Sequence, residues 1–170
     1  MHDEATDIAI DEILAQVKPF NCRLVEITGG EPLLQDDTKK LAARLLESGY
    51  SVLVETNGSV PLKGLDKRAV KVVDVKCPSS GHGGSFLIEN LEEITPEDEL
   101  KFVIADRGDY ESARKFMDEC LGGRTRKVLF APVRPELSPK DLAEWIVKDG
   151  LAVRLQLQLH AYIWPDERGR

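Results

Sequence analysis

No two cysteines of this sequence stand close together. There are three, Cys22, Cys77 and Cys120, dozens of residues apart and without a CxxC pair. An odd count fits no complete disulfide framework, and isolated thiols by themselves read neither as a metal site nor as a cluster site. They are expected to be reduced and partly buried. Long apolar runs are missing too, so nothing approaches the length of a membrane span. The start, MHDEATDIAI, is acidic and lacks the basic-then-apolar order of a signal peptide. A cytoplasmic location follows by default. Excess basic charge is also absent: the formal net charge is −7. That argues against nonspecific binding to nucleic acid or to an anionic membrane surface. No Ser–His–Asp order, Walker loop or HExxH helix occurs, nor any internal repeat or low-complexity tract.

What is present reads as one soluble α/β domain over residues 1–170, with 42% hydrophobic and 31% charged residues. Ile10, Ile13, Leu14 and Val17 recur at helical spacing before Pro19. LVEIT (24–28) predicts a strand, and a helix follows near 36–48, with Gly49 as its stop. SVLVET (51–56), KVVDVK (71–76), ELKFVIA (99–105) and KVLFAPV (127–133) predict further strands. A helix is expected near 109–120. Ser138, Pro139 and Asp141 predict the start of another, ending at Gly150. VRLQLQLH (153–160) predicts the last strand. Strands separated by helices give parallel βα units, either in an open doubly wound sheet or in a closed or partial barrel.

Alternation along these strands places polar residues on one face. Glu26 and Thr28 share it, as do Glu55 and Asn57, Asp74 and Lys76, and Gln156, Gln158 and His160. Most of them lie near C-terminal strand ends, where barrels and crevices bind ligands. An antiparallel sheet with a solvated face is the competing explanation. Three segments could do chemistry. In Thr28-Gly29-Gly30-Glu31-Pro32, paired glycines let the backbone approach a ligand and Glu31 could receive an ammonium group. A tight turn with an acidic helix start would look the same. Asp74 to Gly81 offers Lys76 and the hydroxyls of Ser79 and Ser80, or else a surface turn with a local ion pair. His160 is a possible base or substrate donor, or a buried hydrogen-bonded side chain.

The run Cys22–Gln35, containing Gly29-Gly30-Glu31-Pro32, resembles the GGE segment of radical S-adenosylmethionine (SAM) enzymes. Val54-Glu55-Thr56-Asn57-Gly58 resembles their next strand end. Asp74-Val75-Lys76-Cys77-Pro78-Ser79-Ser80-Gly81 and Leu157–Trp164 narrow the resemblance to 7-carboxy-7-deazaguanine synthases of the queuosine pathway, from about Asp11 to Arg170. The resemblance implies a partial (β/α) TIM-like barrel of the radical SAM type and a homodimer. It implies a carbon–nitrogen lyase that uses a [4Fe–4S] cluster, SAM, Mg²⁺ and an external electron donor. A 5′-deoxyadenosyl radical starts the ring contraction of 6-carboxy-5,6,7,8-tetrahydropterin to 7-carboxy-7-deazaguanine, with loss of ammonia. Carried over by position, Gly29, Gly30, Glu31, Glu55, Asn57, Lys76, Ser79 and Ser80 would bind SAM. Thr28, Gln158 and His160 would lie at the substrate.

The family's CxxxCxxC motif, whose thiolates hold the cluster, has no counterpart in this sequence, and Cys22, Cys77 and Cys120 are not placed to substitute. The chain is therefore expected to be an N-terminally truncated part of such an enzyme, without its first strand, its cluster or turnover. A noncatalytic relative binding SAM or a pterin is the alternative. So is an organic-radical activase acting on a partner protein, which the closing LQLHAYIW disfavours.

Overall fold

The computed structural model describes residues 6–122 and 127–163, without the side chains of residues 160 and 161. Six strands form one sheet: β1 (Leu24–Ile27), β2 (Ser51–Thr56), β3 (Val70–Asp74), β4 (Glu99–Ile104), β5 (Lys127–Pro132) and β6 (Arg154–Leu155). Every neighbouring pair is parallel. This removes the antiparallel alternative. The spatial order is β1-β2-β3-β4-β5-β6, each strand beside its successor. A doubly wound sheet would reverse direction at a switch point, whereas a strictly sequential order is that of an arc of a (β/α) barrel.

Among the described residues five α-helices accompany the strands: α1 (Ile10–Val17), α2 (Thr38–Glu47), α3 (Arg107–Cys120), α4 (Pro139–Asp149) and the short α5 (His160–Ile163). Local chemistry sets their ends. The Asp106 carboxylate accepts from Asp109 N and starts α3 two residues before the predicted position. Ser138 Oγ accepts from Asp141 N at 3.1 Å, the cap expected for α4. Gly49 at φ 84° and Gly150 at φ 61° supply the left-handed turns after α2 and α4.

The last strand is the main correction. The apolar–polar alternation of VRLQLQLH continues to residue 160, yet only Arg154 and Leu155 pair with β5, followed by one more bond from Gln156 N to Phe130 O at 2.9 Å. β6 lies at the sheet edge and has a partner on one side only, so pairing does not hold the rest of the run extended. Gln156, Gln158 and His160 therefore do not share a strand face.

The sheet's two faces differ. Val52, Val54, Val73, Leu100, Phe102, Ile104, Val128 and Phe130 point one way and join Leu45, Tyr110, Leu142 and Ile146 of the helices in the core. An edge-to-face series of rings runs through it, Phe86–Phe116–Phe102–Phe130–Tyr110–Trp145, with centroids 5.4–5.8 Å apart. The other face carries Thr28, Glu55, Asp74, Lys76 and Lys101. Between β2 and β4 the connections contain no α-helix. Instead buried Asn90 accepts from Leu62 N and donates to the carbonyls of Gly58 and Val60. Gly58 is at φ +70°, and a Cβ there would stand 2.5 Å from the Phe86 ring, so only glycine fits.

One ion pair is fully inside. Lys71 Nζ lies 2.9 Å from Asp98 Oδ2, with side chains 4% and 1% exposed. Asp98 also accepts from the backbone of Lys71 and Thr95 and from the Thr95 hydroxyl. Asp98→Ala would strand a buried ammonium, and we expect a loss of about 3–5 kcal/mol in urea unfolding. An unchanged midpoint would contradict this. The thiols also differ. Cys22 is exposed, against expectation, because it precedes β1 at the sheet edge. Burial, with Asp109 and Asp74 nearby, pushes the Cys77 thiol up to about 12. Iodoacetamide at pH 8 should label Cys22 and spare Cys77 until the chain unfolds, as read by peptide mass spectrometry.

Candidate functional site

Five segments meet on the face opposite the helices. Beyond β1, Gly29 (φ 104°) and Gly30 (φ 56°) turn the chain through a conformation other residues rarely adopt, and no atom crowds either position. The loop is then anchored by Glu31. Its carboxylate accepts from Leu33 N at 3.1 Å, from the Thr56 hydroxyl at 2.8 and 2.9 Å, and from Asn57 N at 2.7 Å. Most of its accepting capacity is thus spent on the protein. Its first effect is to fasten the glycine loop to the end of β2. Asn57 shapes that end further, its Oδ1 accepting from Ser59 N at 2.8 Å.

Alternating charges continue across the sheet. Glu55 accepts from Thr28 Oγ1 at 3.2 Å and from Lys101 Nζ at 2.7 Å. Lys76 Nζ donates to Asp74 Oδ2 at 2.7 Å, while Asp74 Oδ1 is buried and makes no hydrogen bond among the described residues. Burial alone would raise the Glu55 carboxyl. Lys101, helped by Thr28 and Lys76, outweighs it and holds the group below the usual glutamate range. Two carboxylates and two ammonium groups therefore stand together as compensated pairs.

Past β3, the tight turn Pro78–Ser80 ends at Gly81 (φ 73°). Its hydroxyls hold the turn in place. Ser80 Oγ donates to Cys77 O at 2.6 Å. Ser79 Oγ donates to Asp109 Oδ2, and Ser79 N to Asp109 Oδ1 at 3.0 Å. Ala105 N donates to the same carboxylate at 3.0 Å. Asp109, 1% exposed, thus joins the turn, the end of β4 and the first turn of α3.

Two adjoining clefts result. The smaller, about 160 Å³, is lined by Thr28, Gly29, Gly30, Glu55, Thr56 and Asn57. The larger, about 420 Å³, includes Ser79, Ser80, Lys101, Val103, Val133 and Gln158. Asp74 and Lys76 line both. Ten of the sequence-predicted site residues are thereby brought into one neighbourhood, Glu31 as its anchor. His160 opens α5, and its side chain lies outside the described residues. Glu26 is exposed and lines neither cleft. A groove of about 560 Å³ beside Lys18, Cys22 and Tyr50 contains none of the candidates.

Thr56, Lys101 and Asp109 were missed from sequence. A polar residue on the buried side of a strand, as Thr56 is, was the available signal. Among the described residues no three His, Cys, Asp or Glu side chains converge as metal ligands. Cys22 precedes β1, Cys77 is buried beyond β3 and Cys120 ends α3. These thiols do not fit a [4Fe–4S] cluster, which needs several converging thiolates.

No family model matches the chain. A 7-carboxy-7-deazaguanine synthase of Koribacter versatilis is 48% identical over 94% of this chain and 77% of that protein. One of Chlorobaculum tepidum is 40% identical over 98% of this chain and 78% of its own length. Among solved structures, QueE from Escherichia coli matches with a TM-score of 0.72 at 23% identity, over 89% of this chain and 64% of that one. Streptococcus suis SuiB, solved with S-adenosylmethionine bound, gives 0.59 at 16% identity, over 91% of this chain and 42% of that one. At those identities the two structures bear on the fold alone, and both share the parallel α/β sheet described above. The sequence relatives go further: with this much identity over almost the whole chain, it belongs to the 7-carboxy-7-deazaguanine synthase family.

Proposed function

We propose that this chain supplies the SAM- and substrate-binding part of a radical SAM lyase. The reaction converts 6-carboxy-5,6,7,8-tetrahydropterin to 7-carboxy-7-deazaguanine with loss of ammonia. The observation that carries this reading is the pair of joined clefts at C-terminal strand ends, with the Gly29-Gly30 loop pinned by Glu31. SAM takes the smaller cleft and reaches the Ser79–Ser80 turn. There the Gly29 and Gly30 backbone, Glu31, Glu55, Asn57 and Lys76 offer donors and acceptors to its amino acid and ribose. The pterin takes the larger cleft, beside Gln158 and His160, and reaches toward Thr28 of the smaller one. Its ring rests on Val103 and Val133, which also displace water from the reacting face.

A cluster, when bound, supplies the radical chemistry of this family. The described thiols do not hold one. In this reading the protein acts in the cytoplasm as a homodimer, with Mg²⁺ and an external electron donor. The outer edges of β1 and β6 both lack a strand partner among the described residues, which favours pairing or cover by other protein. The thiols' failure to converge favours a second reading, a noncatalytic relative that binds SAM or a pterin. A partner-protein activase has no such support.

Titration calorimetry with SAM and with the carboxypterin is the direct test. We expect both to bind. Failure of both would sink the reading, while binding without turnover after anaerobic iron–sulfide reconstitution would favour the second one. Glu31→Ala should weaken SAM binding at least about tenfold and destabilise the fold by about 1–3 kcal/mol, because Asn57 N and the Thr56 hydroxyl lose their acceptor. Undiminished SAM affinity would count against the assignment. Glu55 gives a pH signature. Its folded-state carboxyl lies below its ordinary value of 4.5, so its contribution is present above that value and is lost as pH falls through the lower folded one. Glu55→Gln should therefore melt below wild type at pH 7, and the gap should close on acidification. A gap independent of pH would contradict the pairing with Lys101.

A further inference from the structure

The larger cleft contains two unmet demands side by side. Asp74 and Lys101 are cross-strand partners on β3 and β4, on the face away from the helices. Asp74 spends one oxygen on Lys76 and, among the described residues, leaves Oδ1 buried without a donor. A buried acceptor of this kind is costly unless something donates to it. Lys101 has the complementary need. Its side chain is 17% exposed, and an ammonium group carries three donors. Among the described residues only Glu55 Oε1 receives one, at 2.7 Å. Glu55 in turn reaches Thr28 in the other cleft, so the free side of Lys101 belongs to the larger one. Around them lie Val103, Ala105 and Val133, an apolar floor. Lys76 is a weaker candidate for the same task, because it lines both clefts whereas Lys101 lines only the larger one. Glu136, the remaining acid of this cleft, is exposed at its rim.

A cation, a buried acceptor without a donor and an apolar floor call for a flat ligand with a carboxylate and an N–H donor. We propose that Lys101 is the specificity-determining residue of the larger cleft: its ammonium receives the substrate's carboxylate while Asp74 Oδ1 accepts a ring N–H. This rests on the carboxypterin reading above. A charge-assisted contact of this type discriminates by roughly ten- to a hundredfold in affinity.

The test is anaerobic titration calorimetry at saturating SAM with two ligands, 6-carboxy-5,6,7,8-tetrahydropterin and its 6-carboxamide. Wild type should prefer the acid by that factor. Lys101→Met should erase the preference, with Lys101→Gln as a second neutral variant if the first fails to fold by circular dichroism. Lys101→Arg should restore part of it. SAM affinity, titrated separately, should change by much less than the acid preference does, because Lys101 reaches that ligand only through Glu55. A wild-type preference that survives in both neutral variants overturns the assignment. A fall in SAM affinity by the same factor also overturns it, because Lys101 would then serve the methionine carboxylate. Wild type binding neither pterin would sink the substrate reading itself, a result distinct from an unchanged ratio.

Discussion

A parallel sheet covered by helices on one side only must make its other face tolerable to water or to a ligand. That constraint organises this protein. On the covered side the strand residues, Thr56 and Lys71 apart, are apolar and close against α2, α3 and α4. On the uncovered side a purely apolar surface would invite aggregation, and unpaired charges would repel one another or cost solvation. The sequence answers with charges in compensated pairs, Glu55 with Lys101 and Asp74 with Lys76. Their partial burial makes them informative. They are sheltered enough to be held in fixed geometry and open enough to exchange a protein partner for a ligand.

The loops over this face are placed by carboxylates rather than by regular structure. Glu31 ties the glycine turn to β2, and Asp109 ties the Pro78–Ser80 turn to α3 and β4. Each acid satisfies several donors at once, so each turn is fixed by one side chain.

Much of this was legible in the sequence because the physics was local. β2 matched its predicted bounds, since the β-branched and apolar run Val52-Leu53-Val54 lies inside a strand paired on both sides. The Ser138 cap worked for the same reason. VRLQLQLH failed because alternation describes what a strand would look like, not whether a partner is there to pair with it. Lys101 was overlooked because a lysine in a strand reads as a solvated residue until the neighbouring strand brings Glu55 to it. Asp109 read as an acid favouring a helix start, which it is. Its second task, gripping a turn thirty residues earlier in the chain, is nonlocal.

The series of six rings carries a mechanical consequence. Trp145 lies on α4 and Phe86 lies against Gly58, the residue after Asn57. Close-packed rings have little slack, so a shift at one end is passed along rather than absorbed. The floor of the ligand-facing turn is therefore levelled by the helical layer behind the sheet. It behaves less like a surface loop than like the far end of a rigid strut.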